Sequence, residues 1–273
     1  MTTRVGYIGL GNIGLPMAEW LLAPGLDLTV YDVADAAVAP FRGRAGIAPS
    51  LADVGRAADL IGVCVRDDAD VQEVVTALLE TMTSGLIAIH STVRPATIVE
   101  LAKVAADKGV AVIDAAVTGG AEGARSGRLT AMVGGEAAAI DQARPLLSAY
   151  CSNIVHAGPV GQGMTLKIVN NLVTYIELLG AVEAYRLAAA AGLDPAKLSE
   201  VMTDNGNLTP AMRAYVGFRG TMNSDVFAAS QAALSTLAEK DLSLAAALAA
   251  ESEVSAPLGE ATARLFRESV TRI

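Results

Sequence analysis

Aromatic residues, cysteines and histidines are all scarce in this 273-residue chain. Aromatics make up 4% of the residues and hydrophobic residues 52%, so the core must be built from Ala, Val, Leu and Ile. The two cysteines, Cys64 and Cys151, suggest neither a disulfide framework nor a metal cluster. Two isolated histidines, His90 and His156, are too few for a typical zinc site. We therefore expect no metal and assign both histidines structural roles.

The chain also lacks three further signals, for nucleic acid, for secretion and for a membrane. Its formal net charge is −9, whereas nucleic-acid-binding domains usually carry a basic patch. The pattern of a signal peptide, a basic segment followed by an apolar one, is missing. The most apolar long stretch, Leu172 to Leu193, contains Glu177, Glu183 and Arg186, which favours a buried helix over a membrane span. We expect a cytoplasmic protein that binds a small molecule.

Short apolar runs alternate with helix-like segments in the first half of the chain, which predicts an α/β fold with a Rossmann-type doubly wound parallel sheet. The predicted strands are Val5–Leu10, Leu28–Val33, Leu60–Val65, Leu86–His90, Val110–Ala115 and Leu129–Val133. The second half has helical patterns from Gly163 to about Ala191, from Pro195, from Ala228 to Glu251 and from Pro257. We predict a dinucleotide-binding domain over 1–160 and an all-α substrate and dimerisation domain over 161–273.

The segment YIGLGNIGLPMA, from Tyr7 to Ala18, contains the first functional motif, which we call the glycine turn. Its glycines have G-x-G-x-x-G spacing between a predicted strand and a predicted helix, as dinucleotide binding requires. The first glycine makes the tight turn, the second lets the backbone approach a pyrophosphate, and the third lets helix and strand pack closely. The helix N-terminus offers N–H groups to the phosphates. The predicted cofactor-binding residues here are Gly9, Gly11, Asn12, Ile13 and Gly14.

An acidic residue follows the second predicted strand. In LTVYDV, Asp32 lies about 20 residues beyond Gly11, where a carboxylate binds the ribose hydroxyls of NAD. The next residues, Val33, Ala34 and Asp35, include no arginine or lysine that could bind the 2′-phosphate of NADP. The sequence therefore favours NAD as the cofactor.

Three later segments carry a resemblance to a known family. DAAVTGGAEGARSGRLTAMVGG, Asp114 to Gly135, resembles the substrate-binding segment of the β-hydroxyacid dehydrogenases, which include 3-hydroxyisobutyrate dehydrogenase. GQGMTLKIVNN, Gly161 to Asn171, resembles the catalytic segment of that family, and EKDLSLA, Glu239 to Ala245, resembles its second cofactor segment. With the glycine turn, four motifs occur in the family's order over nearly the whole chain. The resemblance implies hydride transfer between NAD and a short 3-hydroxy acid or the matching semialdehyde, by a homodimer or homotetramer.

The segment that resembles the catalytic one contains Lys167 and Asn171, whose i, i+4 spacing places both side chains on one face of a helix. A lysine can act as general acid–base when burial lowers its pKa. In alcohol oxidation Lys167 would receive the hydroxyl proton, and in the reverse direction it would return it. Asn171 would orient the substrate.

Other candidate residues lie at predicted strand ends or follow from the resemblance. Thr118, Gly119 and Gly120 offer a hydroxyl and open N–H groups, and so predict a site for a substrate carboxylate; the family usually has serine at Thr118. The resemblance implies that Lys240 reaches the cofactor and that Thr92 lies by the nicotinamide or the substrate. The residues expected on the adenosine side are Val65, Arg66 and Asp67.

The chain departs from the family at two aromatic positions. Relatives often carry a tryptophan in the loop that matches Asn205–Pro210, which here reads NGNLTP, and a phenylalanine where this chain has Ala233. A shifted alignment would bring Phe227 to the second position. Because these regions would shape the pocket, the departures leave the fold and the hydride chemistry in place and leave the substrate open.

Alternative functions keep the fold or the cofactor but change the chemistry. Imine reductases resemble this family but generally lack the catalytic lysine, so Lys167 argues against them. A semialdehyde or glyoxylate reductase of the same fold is a further alternative. A non-catalytic NAD-binding redox sensor would need no Lys167–Asn171 pair and would usually carry an effector domain, for which the sequence shows no segment.

Overall fold

A computed structural model of the chain describes residues 2–218 and 225–271, apart from the side chains of residues 214, 215, 218, 225–228 and 271. The chain divides into two compact units, Met1–Lys167 (the first unit) and Ile168–Ile273 (the second unit). The domain boundary predicted between residues 160 and 161 stays a prediction.

The first unit is built on one sheet. Its strands are β1 (Thr3–Ile8), β2 (Leu26–Tyr31), β3 (Gly46–Ile47), β4 (Leu60–Val63), β5 (Leu86–Ile89), β6 (Ala111–Thr118), β7 (Leu129–Gly134) and β8 (Cys151–Gly158). They lie in the order β3-β2-β1-β4-β5-β6-β7-β8. The first six follow the order of doubly wound dinucleotide-binding sheets, so the predicted fold class is confirmed.

The sheet differs from the prediction at its β7–β8 end. All neighbouring strands pair in parallel except β6 and β7, which are antiparallel. A parallel connection needs a crossover of about a dozen residues or more, and the link between β6 and β7 is shorter than that. The sequence pattern missed β8 because this edge strand is largely exposed and has no continuous apolar run. It missed β3 because that strand has only two residues.

Helices cover the sheet of the first unit. They are α1 (Gly14–Trp20), α2 (Asp35–Val38), α3 (Leu51–Ala57), α4 (Asp68–Leu78), α5 (Pro95–Ala106), α6 (Gly120–Arg125) and α7 (Ala137–Tyr150), with a 3-10 turn at Ala39–Phe41. The core between strands and helices is aliphatic, as the composition predicts. Tyr7, Phe41 and Tyr150 are among the largest side chains that it buries completely.

His90 belongs to that core. Its Nδ1 donates to the carbonyl oxygen of Ala115 at 2.7 Å, which leaves Nε2 to accept the hydroxyl of Tyr150 at 2.9 Å. The ring of Tyr7 stacks beside it, with the ring centroids 6.1 Å apart. Burial lowers the pKa of His90 to about 4. The imidazole is therefore neutral near pH 7, in keeping with the structural role expected for it.

Trp20, at the end of α1, contacts α6. Its indole Nε1 donates to the carbonyl oxygen of Ala124 at 2.9 Å. A methyl group at Gly127 would come within 3.0 Å of the indole ring. The helix that opens at the glycine turn is thus held to the segment that follows β6.

The second unit is helical. The long helix α8 (Gln162–Ala190) begins in the first unit and continues through the second, followed by α9 (Pro195–Asp204), α10 (Pro210–Phe218), α11 (Asp225–Glu251) and α12 (Pro257–Thr271). Three of these helices open on proline, which has no N–H to leave unpaired in a first turn. The buried core of this unit contains Tyr175, Leu178, Val182, Ala238, Leu242, Phe266 and Val270. No described helix is both long and apolar enough to cross a membrane.

Candidate functional site

The three glycines of the glycine turn have distinct surroundings. Gly9 has φ +90°, and a Cβ there would lie 2.2 Å from the carbonyl oxygen of Cys64. A Cβ at Gly14 would lie 2.0 Å from the carbonyl oxygen of Gly9, whereas one at Gly11 would meet no atom within 4 Å. These are the tight turn, the close packing of helix on strand and the open approach that dinucleotide binding assigns to the motif. The residues present therefore fit a dinucleotide.

One cavity of about 420 Å³ lies over this turn. Most of the predicted cofactor-binding residues of the first unit line it: Gly9, Gly11, Asn12, Ile13, Gly14, Asp32, Val65 and Arg66. Tyr31, Val33, Leu51, Cys64 and Val74 are among its other lining residues. We call this cavity the cofactor pocket.

Asp32 follows β2 directly, and two backbone groups fix its carboxylate. Oδ2 accepts the N–H of Leu10 at 2.7 Å, and Oδ1 accepts the N–H of Ala34 at 2.8 Å. A carboxylate oxygen can accept more than one hydrogen bond, so both oxygens keep capacity for ribose hydroxyls. The next residue, Val33, lines the pocket and is 92% exposed, so the position beside the carboxylate holds an uncharged side chain.

Arg66 lines the pocket, but a carboxylate engages its guanidinium. Nε and Nη2 donate to the two oxygens of Asp70 at 2.7 and 2.9 Å. The hydrogen bond from Arg66 lowers the pKa of Asp70. Asp67 does not line this cavity; its side chain caps α4 by accepting the N–H of Asp70 at 3.0 Å.

The loop after β5 contacts the pocket through Ser91, a residue that was not predicted from the sequence. The buried Ser91 Oγ accepts the N–H of Val65 at 2.8 Å. Thr92 is the next residue and is half-buried, although it is not among the residues that line the cavity. A hydroxyl directly after a strand end was the available signal for Ser91.

The segment Thr118–Gly119–Gly120 lies where β6 passes into α6. Thr118 is half-buried and pairs with Thr130 of β7, while both glycines are exposed. Gly119 has φ +122° and Gly120 φ +62°, conformations that side chains other than glycine rarely adopt. The backbone turn thus explains the two glycines, and it leaves their surface open to solvent.

Asp114 is the second functional candidate that was not predicted from the sequence. It is fully buried within β6, and its carboxylate accepts the N–H of Gly161 at 2.8 Å and that of Met164 at 2.6 Å. Burial raises the pKa of Asp114, and the hydrogen bonds from the backbone oppose that shift. Lys167, half-buried, lies about one turn beyond Met164 in α8.

Within the second unit, the buried carboxylate of Asp241 connects two of the predicted residues. Its Oδ2 accepts Nδ2 of Asn171 at 2.7 Å and the hydroxyl of Tyr175 at 2.9 Å. Its Oδ1 accepts no hydrogen bond among the described residues but lies 3.0 Å from Nζ of Lys240, an ion pair without hydrogen-bond geometry. Burial, followed by the charge of Asp241, raises the pKa of Tyr175.

The remaining positions singled out from the sequence are two aromatic positions of the family and His156. The loop between α9 and α10 is largely exposed at its centre, as is Ala233, and the side chain of Phe227 lies outside the described residues. His156 Nε2 donates to backbone carbonyl oxygens, 2.9 Å from that of Gly135. Among the described residues, no group of three or more His, Cys, Asp or Glu could hold a metal ion.

Comparison with known proteins matches the chain to two family models. Residues 4–158 match the NAD binding domain of 6-phosphogluconate dehydrogenase, and residues 161–272 match a model described as NAD-binding of NADP-dependent 3-hydroxyisobutyrate dehydrogenase.

Individual relatives match over nearly their full length. The NAD-dependent L-serine dehydrogenase of Pseudomonas aeruginosa is 34% identical, covering 97% of this chain and 91% of the relative. The 3-hydroxyisobutyrate dehydrogenase of the same organism is 35% identical with the same coverage. A solved structure of Mycobacterium tuberculosis 3-hydroxyisobutyrate dehydrogenase with L-serine gives a TM-score of 0.86 at 26% identity, covering 100% of this chain and 95% of that one.

Proposed function

Because the chain belongs to the β-hydroxyacid dehydrogenase family and is an NAD(P)-dependent oxidoreductase of that family, we propose that its substrate is a short 3-hydroxy acid or the matching semialdehyde, and that NAD is its preferred cofactor. The observation that carries the proposal is the cofactor pocket, in which the open Gly11 and the fixed carboxylate of Asp32 meet.

In this proposal, residues of the cofactor pocket bind the adenosine half of the cofactor, and two residues outside it bind the nicotinamide half. The backbone of the glycine turn binds the pyrophosphate, and Asp32 binds the adenosine ribose. Lys240 and Thr92 contact the nicotinamide half. NAD, when bound, supplies the acceptor for the hydride that leaves the carbon bearing the hydroxyl group.

Lys167 is the general acid–base of this proposal. During oxidation its amine receives the hydroxyl proton, and during reduction its ammonium returns that proton to the forming alkoxide. The segment Thr118–Gly119–Gly120 binds the substrate carboxylate through a hydroxyl and N–H groups. Asn171 orients the substrate; because its Nδ2 donates to Asp241, its Oδ1 is the atom left to accept.

The names of the relatives define the range of substrates to test. L-Serine and 3-hydroxyisobutyrate are both carboxylic acids with a hydroxyl group on C3, so one carboxylate site and one acid–base lysine serve both. A single methylene in an apolar pocket contributes only ~1–3 kcal/mol of discrimination. Without the two family aromatics near Leu208 and Ala233, activity should spread over several 3-hydroxy acids.

We further propose that the protein is cytoplasmic and that it assembles as a homodimer or homotetramer. The exposed apolar residues of α8, which include Val169, Val173 and Leu187, support self-association. Light scattering coupled to size-exclusion chromatography measures the mass directly, and a monomer at micromolar concentration would contradict this part.

The central experiment is Lys167→Ala assayed by NADH absorbance with a panel of 3-hydroxy acids and matched alcohols lacking the carboxylate. We expect turnover to fall roughly 10²-fold or more, the usual effect of losing an acid–base group, with NADH affinity unchanged. Lys197→Ala, which removes an exposed helix lysine paired with Glu200, is the matched control.

Other outcomes of this assay point to other functions. Turnover by Lys167→Ala at the wild-type rate would remove the lysine from the mechanism. Plain alcohols that react as efficiently as the acids would reject the carboxylate site. Tight NADH binding without turnover of any acid or semialdehyde would favour the redox sensor.

Cofactor preference has its own test. Wild-type kcat/KM should be higher with NAD than with NADP. The double variant Asp32→Ala, Val33→Arg removes the carboxylate and adds a cation, so it should narrow or reverse that ratio. A wild-type enzyme that works better with NADP would contradict the preference while leaving the reaction unchanged.

A further inference from the structure

A carboxylate in the middle of the buried strand β6 holds the start of α8 on the sheet. Asp114 has no exposed surface, and both its oxygens accept N–H groups at the start of α8: that of Gly161, just before the helix, and that of Met164, in its first turn. A helix N-terminus carries unpaired N–H groups and a partial positive charge. The carboxylate therefore caps α8 from inside the sheet.

Glycines let the helix and the strands come this close. A Cβ at Gly163 would lie 2.5 Å from the carbonyl oxygen of Met132 in β7 and 2.9 Å from Oδ2 of Asp114. A Cβ at Gly134, opposite Asp114 in the β6–β7 pair, would lie 2.4 Å from Oδ1. Gly161 has φ +94°. A side chain at Gly134 or Gly163 would push the helix start away from the carboxylate, and one at Gly161 would strain the backbone.

The same carboxylate lies on the strand that ends at the candidate substrate segment. Asp114 and Thr118 are four residues apart in β6, so their side chains lie on one face of the strand. Lys167 follows Met164 by three residues in α8, about one helical turn. One side chain thus connects the strand of the carboxylate site with the helix of the acid–base residue.

We propose that Asp114 is a positioning residue that sets the place of Lys167 relative to Thr118 by holding the first turn of α8 on β6. The inference rests on the proposed function. Catalytic groups must be held within about 0.5 Å of their working geometry, and a displacement of about 1 Å can reduce the rate ~10²-fold. A buried carboxylate is costly. At this position it accepts two N–H groups at once, which an amide oxygen and nitrogen could not both do.

The test is Asp114→Asn, which keeps the shape but removes the charge and one acceptor. We expect kcat to fall about 10-fold or more, with NADH affinity unchanged and with a larger primary isotope effect for substrate deuterated at the reacting carbon. Tyr150→Phe is the control for lost stability alone, since it removes a buried hydrogen bond of the same unit that does not touch α8. It should lower Tm and leave kcat and the isotope effect unchanged.

The outcomes separate this inference from the proposed function. If Lys167→Ala is inactive while Asp114→Asn has wild-type kcat and isotope effect, the positioning role is rejected and the proposed function stands. If Lys167→Ala keeps wild-type turnover, the proposed function itself fails. Should Asp114→Asn not fold, Gly163→Ala displaces the helix and keeps the carboxylate; wild-type kcat in that variant, or failure of both variants to fold, would overturn the positioning role.

Discussion

Gly14 in the first unit and Asp241 in the second hold their surroundings by opposite means. At Gly14 the backbone of α1 approaches the carbonyl oxygen of Gly9 so closely that no Cβ fits. At Asp241 one buried carboxylate gathers an amide, a hydroxyl and an ammonium from α8 and α11. The first arrangement fails when an atom is added, and the second fails when a partner is removed. Mutations that test the two should therefore differ in kind.

The largest effect is expected at the glycine turn. Gly14→Ala should cost about 3 kcal/mol of stability, because its methyl group overlaps backbone that cannot rotate away, and NADH binding should be lost with it. Gly11→Ala meets open space, so its Tm should stay near that of the wild type while NADH affinity falls. Thermal unfolding and NADH titration measure both. Equal Tm losses in the two variants would contradict the assignment of separate roles.

The next effect is expected at Asp241. Asp241→Leu leaves Asn171 and Tyr175 as buried donors without an acceptor, which should cost about 3 kcal/mol. Because Asn171 also loses its orientation, kcat should fall. Tyr175→Phe removes one donor and leaves the other contacts of the carboxylate, so it should cost about 1 kcal/mol and leave kcat nearly unchanged. Urea unfolding and steady-state kinetics separate the two variants, and a Tyr175→Phe enzyme as impaired as Asp241→Leu would show that the cluster acts only through stability.

A smaller, pH-dependent effect is expected from His90. Burial lowers its pKa from the ordinary 6.5 to about 4, so between these values the unfolded chain binds a proton that the folded protein does not. Burial of the neutral imidazole therefore does not reduce the free energy of unfolding above about pH 6.5. As the pH falls below that value the free energy of unfolding decreases, by about 2 kcal/mol at pH 5. The comparison is wild type with His90→Gln in urea unfolding from pH 8 to 5. A difference between the two proteins that does not change with pH would contradict it.

The first unit could be predicted further from sequence than the second. The glycine turn is local: spacing, a preceding strand and Asp32 at the next strand end specify a site that forms within about one βαβ unit. Four helices of the second unit, α8, α9, α11 and α12, were also predicted, and the bounds of α8 agree within one residue. The short helix α10 was not predicted.

Contacts between distant segments could not be predicted. Asn171 and Asp241 meet across 70 residues, and Asp114 and Gly161 across 47. In sequence, Asp114 is one polar residue in an apolar strand, and Asp241 is one of several charged residues on an alanine-rich helix. Neither pattern predicts a hydrogen-bond partner, because the donors to a buried carboxylate come from segments that only the fold brings together. The exposed edge strand β8 was not predicted for a similar reason: it forms by pairing with β7, and its own sequence has no continuous apolar run.

The contact of Trp20 with α6 also gives the protein an optical reporter. Trp20 is the only tryptophan in the chain, and it ends the helix that opens at the glycine turn while its indole donates to Ala124, a few residues beyond Thr118–Gly119–Gly120. Reduced nicotinamide absorbs where indole emits, so NADH binding should quench its fluorescence, whereas a carboxylic acid alone should shift it through α6. Each ligand can thus be followed in the unlabelled protein, by one emission spectrum.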